Sequence, residues 1–338
     1  MKLLYFPFLL ILLISCKTTK SQSTDKSQLK FAKTITANDL NDYLTVFSSD
    51  DFGGRETGTE GQKKAANYLK DFYISLNISG GDLDETPYFQ EISSSYFNNK
   101  FADSENVIAI IKGNELPNEY LVLTSHYDHL GIKNGKVFNG ADDDGSGTVA
   151  IMEIAEAFME AKKEGFEPKR SIIFLHVTAE EKGLLGSKYY SDNPIYPLNQ
   201  TIANLNIDMI GRRDKAHKNN DNYVYLIGSD RLSTELHNIS ENANKKFTNL
   251  DLDYKFNAKN DPNRFYYRSD HYNFAKYDIP IIFYFNGVHK DYHKSTDTAE
   301  KIEYDLLAKR AKLIFHTAWE LANRENRPIV DQPTLDKK

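Results

Sequence analysis

From about residue 36 to residue 323, short apolar runs alternate with stretches in which apolar residues return every three or four positions. Such alternation predicts strands spaced by helices. In residues 60–77 the residues Ala65, Ala66, Leu69, Phe72 and Leu76 fall on one helical face. Further helices are predicted over 148–163, 183–191, 233–246 and 299–323. Strands are predicted over 107–111, 120–124, 171–177, 205–210, 223–227 and 279–285. The segment Gly113-Asn114-Glu115-Leu116-Pro117-Asn118 is rich in turn formers, so the runs on either side of it are predicted to form a hairpin. The strands lack a clean in-out alternation, which points to a sheet covered on both faces. The predicted fold is α/β, a mostly parallel central sheet with helices on both faces, in three layers. Residues 247–268 are irregular and rich in Asn, Asp and Tyr, a candidate loop near a site.

The N-terminus breaks this pattern. Lys2 precedes an apolar run over residues 3–14 that is too short for a membrane span and ends in Leu13-Ile14-Ser15-Cys16. The ending resembles a bacterial lipobox, and Cys16 is the only cysteine. The expectation is a signal peptide over 1–15, a lipidated Cys16, and export with lipid anchoring to the bacterial cell envelope, on the periplasmic or outer-surface side. Neither a disulfide nor a cysteine nucleophile is then available. Residues 16–34 are polar and read as a flexible tether, 35–326 as a single domain, and 327–338 as a loose tail. The net charge of -6 is spread along the chain, so nothing suggests a nucleic-acid partner.

Polar residues cluster just after the apolar runs. Residues 121–125 lead into His126-Tyr127-Asp128, residues 172–178 into Glu180-Glu181, residues 205–207 into Asp208, and residues 281–285 into His289 and His293. In open α/β sheets, ligands bind beyond the carboxyl ends of the strands. Imidazole and carboxylate without thiolate suit zinc or a similar divalent ion. The candidates outnumber the three protein ligands of one catalytic zinc, so two metals sharing a carboxylate use them better. Each element also has a plain structural reading. A lone His-x-Asp is a weak signal. Asp142-Asp143-Asp144-Gly145-Ser146-Gly147 can be a solvated turn before a helix, and its contiguous aspartates do not match a calcium loop. Glu180-Glu181 can favour a helix N-terminus. Asp208 after an apolar strand is harder to dismiss, because an unpaired carboxylate there is costly.

The order of these motifs carries a resemblance. His126-Tyr127-Asp128, Asn139 to Gly147, Ala179 to Ser187, Asn206-Ile207-Asp208-Met209 and Tyr292-His293 with Thr296-Asp297-Thr298 together resemble the co-catalytic zinc exopeptidases. That family includes bacterial leucine-type aminopeptidases, the plasma glutamate carboxypeptidase and glutaminyl cyclases. Phe52 to Gly61 is similar to the family's N-terminal segment, and the likeness spans about residues 38–325. It implies two Zn2+ ions, one on His126 and Asp208, the other on Glu181 and His293, with Asp143 as the bridge. It implies Glu180 as general base, Asp128 as the group that orients the His126 ring, and Tyr292 as a stabiliser of the tetrahedral intermediate. Larger members carry a domain inserted before the His-x-Asp strand. Only about fifty residues separate the first predicted helix from His126 here, so no such insertion fits.

The resemblance implies peptide substrates and most directly an aminopeptidase. Dipeptidase or carboxypeptidase specificity, a glutaminyl cyclase and a non-catalytic binding protein stay as alternatives. Family cyclases hold a single zinc and depart from the Asp-Asp-Gly-Ser-Gly pattern, and binding relatives lose ligands. All five ligand positions are intact in this chain.

Overall fold

The computed structural model describes residues 25–83 and 86–332. The predicted signal segment 1–15, Cys16, the tether up to residue 24 and the tail from 333 lie outside the described residues. The strands are β1 (Ser79–Gly80), β2 (Phe89–Ile92), β3 (Ser104–Ile111), β4 (Leu116–His126), β5 (Gly131–Lys133), β6 (Lys136–Phe138), β7 (Arg170–Val177), β8 (Thr201–Ile207), β9 (Tyr223–Ile227), β10 (Asp251–Asp253) and β11 (Ile281–Phe285). The main helices are α1 (Ala37–Phe47), α2 (Glu60–Ser75), α3 (Gly147–Lys163), α4 (Leu185–Asp192), α5 (Thr234–Ala243) and α6 (Tyr304–Asn323).

Nine strands form one sheet in the order β1-β3-β7-β4-β8-β11-β9-β10, with β2 also paired to β3. Its interior, β7-β4-β8-β11, is parallel, and β3 and β9 join it antiparallel. Every residue of β3, β7, β8, β9 and β11 is buried. Successive side chains of a strand point to opposite faces. Val107, Ala109 and Ile111 therefore pack with Phe158, Phe315 and Trp319 on one side. Ile108 and Ile110 pack with Tyr190 and Phe274 on the other. The two covered faces explain why the strand runs show no in-out alternation, and the architecture is the three-layer α/β fold expected.

The predicted hairpin does not form. β7 lies between β3 and β4, antiparallel to the first and parallel to the second. The connecting loop arches over the start of β7, with Asn114 N donating to Pro168 O and Leu116 N to Lys169 O. β3 is buried along its whole length and needs a neighbour on each edge, and β7, with Ile172, Ile173, Phe174 and Leu175 in succession, supplies one to both β3 and β4. The predicted helix over 299–323 is also divided. A short turn at Ala299–Lys301 precedes α6, whose first residue is Tyr304.

The tether reading is corrected from residue 25 onward. Residues 25–32 are helical. Phe31 is buried and stacks on Trp319 with ring centroids 6.0 Å apart, and Gln28 Nε2 donates to His316 O at 3.1 Å. This docking onto α6 joins segments nearly the whole chain apart, so local composition carried no sign of it. The described part of the predicted tail is also held. Ile329 N donates to Glu235 Oε2 and Asp331 N to Leu232 O. No described helix is long and apolar enough to cross a membrane.

Candidate metal centre

Four parallel strands deliver their C-terminal ends to one edge. β4 ends at His126, β7 at Val177 just before Glu180 and Glu181, and β8 at Ile207 just before Asp208. β11 ends at Phe285, ahead of the loop that carries His289 and His293. Asp143 comes from the segment between β6 and α3. There the Asp144 carboxylate accepts from Gly147 N at 3.0 Å and from Met209 N at 2.9 Å. The first of these bonds caps the start of α3, where helix amides have no internal acceptor. The Asp143–Asp144 peptide bond is cis.

Asp143 stands between the two imidazoles. Its Oδ1 is 3.2 Å from His126 Nε2, and its Oδ2 is 3.2 Å from His293 Nε2. Asp208 Oδ1 is 3.7 Å from His126 Nε2. Glu181 Oε2 is 3.4 Å from His293 Nε2. Glu180 turns the other way, with its Oε2 3.9 Å from His126 Nε2. All five sequence-predicted ligands and Glu180 thus meet at one edge of the sheet. Asp144 also comes within a ligand's reach of His126 and Asp208. With one of its oxygens held by two backbone amides, and both Asp143 oxygens facing an imidazole, Asp143 is the better bridge.

Asp128 departs from expectation. The 3.0 Å partner of His126 Nδ1 is the Asp128 carbonyl oxygen, while the Asp128 carboxylate lies 3.9 Å away. The carboxylate is occupied elsewhere, accepting from Thr57 Oγ1 at 2.9 Å and from Glu180 N at 3.0 Å. It therefore fixes the backbone of the Glu180 loop, and the main chain orients the His126 ring. A hydrogen bond from the second ring nitrogen is the usual way to set a ligand tautomer.

A second set of contacts braces Asp143. Asp297 Oδ2 accepts from Asp142 N and Asp143 N, and Asp142 Oδ2 lies 2.9 Å from His289 Nε2. His289 thus supports the aspartate loop and does not join the ligand cluster. The buried Arg55 guanidinium donates to the carbonyl oxygens of Tyr127, Asn139 and Gly140, tying the His126 loop to the Asp143 loop.

The electrostatics follow from crowding. Burial lowers the affinity of His126 for a proton, but Glu180, Asp143 and Asp208 more than reverse this and hold the ring well above its usual range. His293 is likewise pushed up to about 10, by Asp143 and Glu181 against burial. Burial raises the Glu180 carboxyl well above normal against the pull of His126, with Asp208, Asp270 and Glu181 adding to it. Burial and Asp143 push Glu181 up, yet His129 and His293 together hold it at about 2. The negative field that drives protons onto these imidazoles is the field that two dications neutralise.

The cleft above the cluster has apolar walls from Phe265, Phe283, Phe285 and Val288, with Tyr292 and Arg268 beside them. Tyr292 stacks on His293 with ring centroids 3.8 Å apart. Residues 247–268 do approach the site, through Phe265 and Arg268. Within that segment Tyr266 is buried under the Arg231 guanidinium and Tyr267 faces solvent. Asp270 accepts from Ser187 Oγ at 2.5 Å, and His271 Nε2 lies 2.8 Å from Tyr266 O, so both support the loop.

Sequence reading missed His129. It is fully buried, with Nδ1 2.9 Å from Glu181 Oε1 and 3.8 Å from Asp143 Oδ2. The signal was present as a second histidine, three residues after His126. Gly140 makes room for its ring, since a Cβ there would lie 2.5 Å from His129 Cγ, and Gly140 has a left-handed φ of +54°.

The donor set is nitrogen and carboxylate oxygen throughout, which is zinc's preferred company in the absence of thiolate. Two of its oxygens, Asp143 Oδ2 and Glu181 Oε1, are buried with no hydrogen-bond partner, as expected of atoms that face a cation. The residues fit a pair of zinc ions. A model of Peptidase family M28 matches residues 106–318, which include all of these donors. The chain belongs to peptidase family M28. One relative of this M28 chain is leupeptin-inactivating enzyme 1 of Streptomyces exfoliatus, 29% identical over 259 residues, 76% of this chain and 50% of the relative. The chain thus spans about half the length of that curated relative. Among solved structures, the LapA aminopeptidase of Legionella pneumophila superposes with a TM-score of 0.69 at 22% identity, covering 89% of this chain and 76% of LapA. The glutaminyl cyclase of Porphyromonas gingivalis gives 0.63 at 18% identity, covering 84% and 97%. The last two likenesses show that the M28 chain shares their fold.

Proposed function

We propose that this M28 chain is a zinc-dependent aminopeptidase that releases N-terminal residues from peptides. The observation that carries the reading is the Asp143 carboxylate between His126 and His293, with a separate carboxylate, Glu180, free beside it. Two zinc ions held by His126, Asp143, Asp208, Glu181 and His293 would make water acidic and draw charge from the scissile carbonyl. Glu180 takes the proton from the attacking water and returns it to the leaving amine. The Tyr292 phenol keeps its proton, because burial and then Asp143, Asp208 and Glu181 raise it, so it can donate to the developing oxyanion. Phe265, Phe283 and Phe285 on the cleft wall favour an apolar side chain.

Arg268 favours a second reading, a dipeptidase. Its guanidinium lies 4.9 Å from the Phe265 ring on the cleft wall and has no carboxylate partner among the described residues. It could meet the free carboxylate of a short substrate. Mass spectrometry of products from free and N-acetylated peptides of two to eight residues, with and without chelator, decides between them. Chelator-sensitive, stepwise loss from free N-termini at all lengths supports the aminopeptidase. Cleavage of dipeptides alone selects the second reading. Loss of ammonia from N-terminal glutamine would indicate a cyclase and refute both.

The apolar run over residues 3–14 and the Leu13-Ile14-Ser15-Cys16 ending support a location outside the cytoplasm, anchored by lipid on Cys16.

A further inference from the structure

The helix of residues 25–32 has two unlike faces. Gln28, Phe31 and Ala32 are buried, and the Phe31 ring centroid lies 5.6 Å from that of Phe166 and 6.0 Å from that of Trp319. Lys26, Leu29, Lys30 and Lys33 are exposed, and spacings of three and four residues put them on one side of the helix. Two acids lie close by, Glu164 paired with Lys30 and Asp25 paired with Lys246.

This end of the chain differs in charge from the whole. Between Cys16 and Thr34 there are five lysines (Lys17, Lys20, Lys26, Lys30 and Lys33) and one acid, Asp25, in a chain whose net charge is -6. Basic segments of this kind are drawn to anionic lipid headgroups, and an exposed leucine among lysines suits the boundary between headgroups and acyl chains. Nine residues lead from Cys16 to Asp25, at most about 30 Å of chain. A lipid on Cys16 would keep this face within reach of a bilayer.

The helix also docks far from the metal centre. Its partners are Glu164, just past the end of α3, and His316 and Trp319, in the second half of α6. α3 starts beside the Asp143 loop, and its 17 residues run about 25 Å from there to Glu164. Likewise α6 starts near the catalytic edge, where Glu303 N donates to Gly211 O, and ends where Arg170, the first residue of β7, donates to Leu321 O.

We propose that Lys26, Leu29, Lys30 and Lys33 form a docking face for an anionic bilayer surface, which turns the catalytic edge toward the aqueous side. The proposal rests on the lipid-anchor reading above. It narrows the substrate class to free peptides that arrive from solution, as opposed to chain ends held at the bilayer.

The test uses vesicles of phosphatidylcholine, alone or mixed with phosphatidylglycerol, and the Cys16→Ser protein, so that binding is read without the lipid. At low salt, flotation is expected to show binding to the anionic vesicles at least about tenfold stronger, with the difference closing as salt is raised. Lys26→Gln, Lys30→Gln and Lys33→Gln together are expected to remove the difference while hydrolysis of soluble peptides is unchanged. Trp319 is the only tryptophan and lies beneath this helix, so energy transfer from it to dansyl-labelled headgroups reports which face is down. Strong transfer is expected in the bound protein. Equal binding to both vesicles, a preference that survives in the triple variant, or binding without transfer would overturn the proposal. A wild type that takes up no fatty-acid label, while Cys16→Ser still prefers anionic vesicles, would overturn the anchor reading and leave the docking face standing.

Discussion

Arg55 Nη2 donates to the carbonyl oxygen of Gly140 at 2.9 Å, deep in a pocket where the arginine has no exposed surface. Burial holds the guanidinium down at about 10, although Asp128, Asp143 and Asp297 pull the other way. The same side chain satisfies Tyr127 O and Asn139 O. It therefore fixes the spacing between the strand end that carries His126 and the loop that carries Asp143. Arg55→Ala would strand four buried carbonyls, that of Phe47 included, and is expected to cost about 3 kcal/mol or more in urea unfolding. Lysine should not rescue it, because a point charge cannot span the fork. A variant as stable as wild type would show that the clamp is dispensable.

Glu180→Gln keeps the shape of the side chain and removes its proton chemistry. Turnover is expected to fall about 100-fold to 10,000-fold with the zinc content unchanged. Steady-state kinetics alongside elemental analysis reads both. Loss of zinc in this variant would move Glu180 from proton carrier to ligand.

Among the described residues, Asp143 is the carboxylate that faces both His126 and His293. Asp143→Ala is expected to reduce bound zinc from two per chain to one or fewer, by mass spectrometry under native conditions. Two retained ions would assign the bridge to another group, with Asp144 the first to examine.

His176, His271 and His316 are buried, and burial before any other cause holds each imidazole down at about 3. In the unfolded chain each has a pKa of about 6.5. Between these values the unfolded state binds protons that the folded state does not, so stability falls as pH drops below 6.5. Glu153 works the other way, since burial raises its carboxyl to about 8. The difference between wild type and a single variant isolates one group. His176→Gln is expected to gain on wild type by about 1.4 kcal/mol per pH unit below 6.5. Urea unfolding at pH 6.5, 5.5 and 4.5 measures it, and a constant gap would mean that His176 is charged when folded.

Cys16→Ser is expected to move the protein from the membrane pellet to the soluble fraction and to abolish labelling by a fatty-acid probe. Labelling that persists in the variant would exclude Cys16 as the lipid site.

Much of the architecture was legible because strands buried on both faces leave continuous apolar runs, as in 172–175 and 281–285. The ligands were legible because they follow those runs directly. What escaped depended on contacts remote in sequence. β7 entered between β3 and β4, and Phe31 found Trp319 at the far end of the chain. Asp128 was read as orienting His126 by its side chain, when Thr57 and Glu180 N compete for that carboxylate and the carbonyl does the orienting. His129 was passed over because one histidine already filled the strand-end position. Only the return of its loop toward Glu181 gives it a partner.

The donors run from His126 at the end of β4 to His293 beyond β11, and no single unit of the fold contains more than a few of them. The centre is therefore a report on the whole chain. A molecule in which β11 has not yet docked beside β8 lacks His293 and the brace from Asp297, whatever the state of the earlier strands. Bound ions would staple segments up to 167 residues apart (from 126 to 293) and so favour the finished fold over its partly formed precursors. A complete set of donors is then expected only in the fully folded chain.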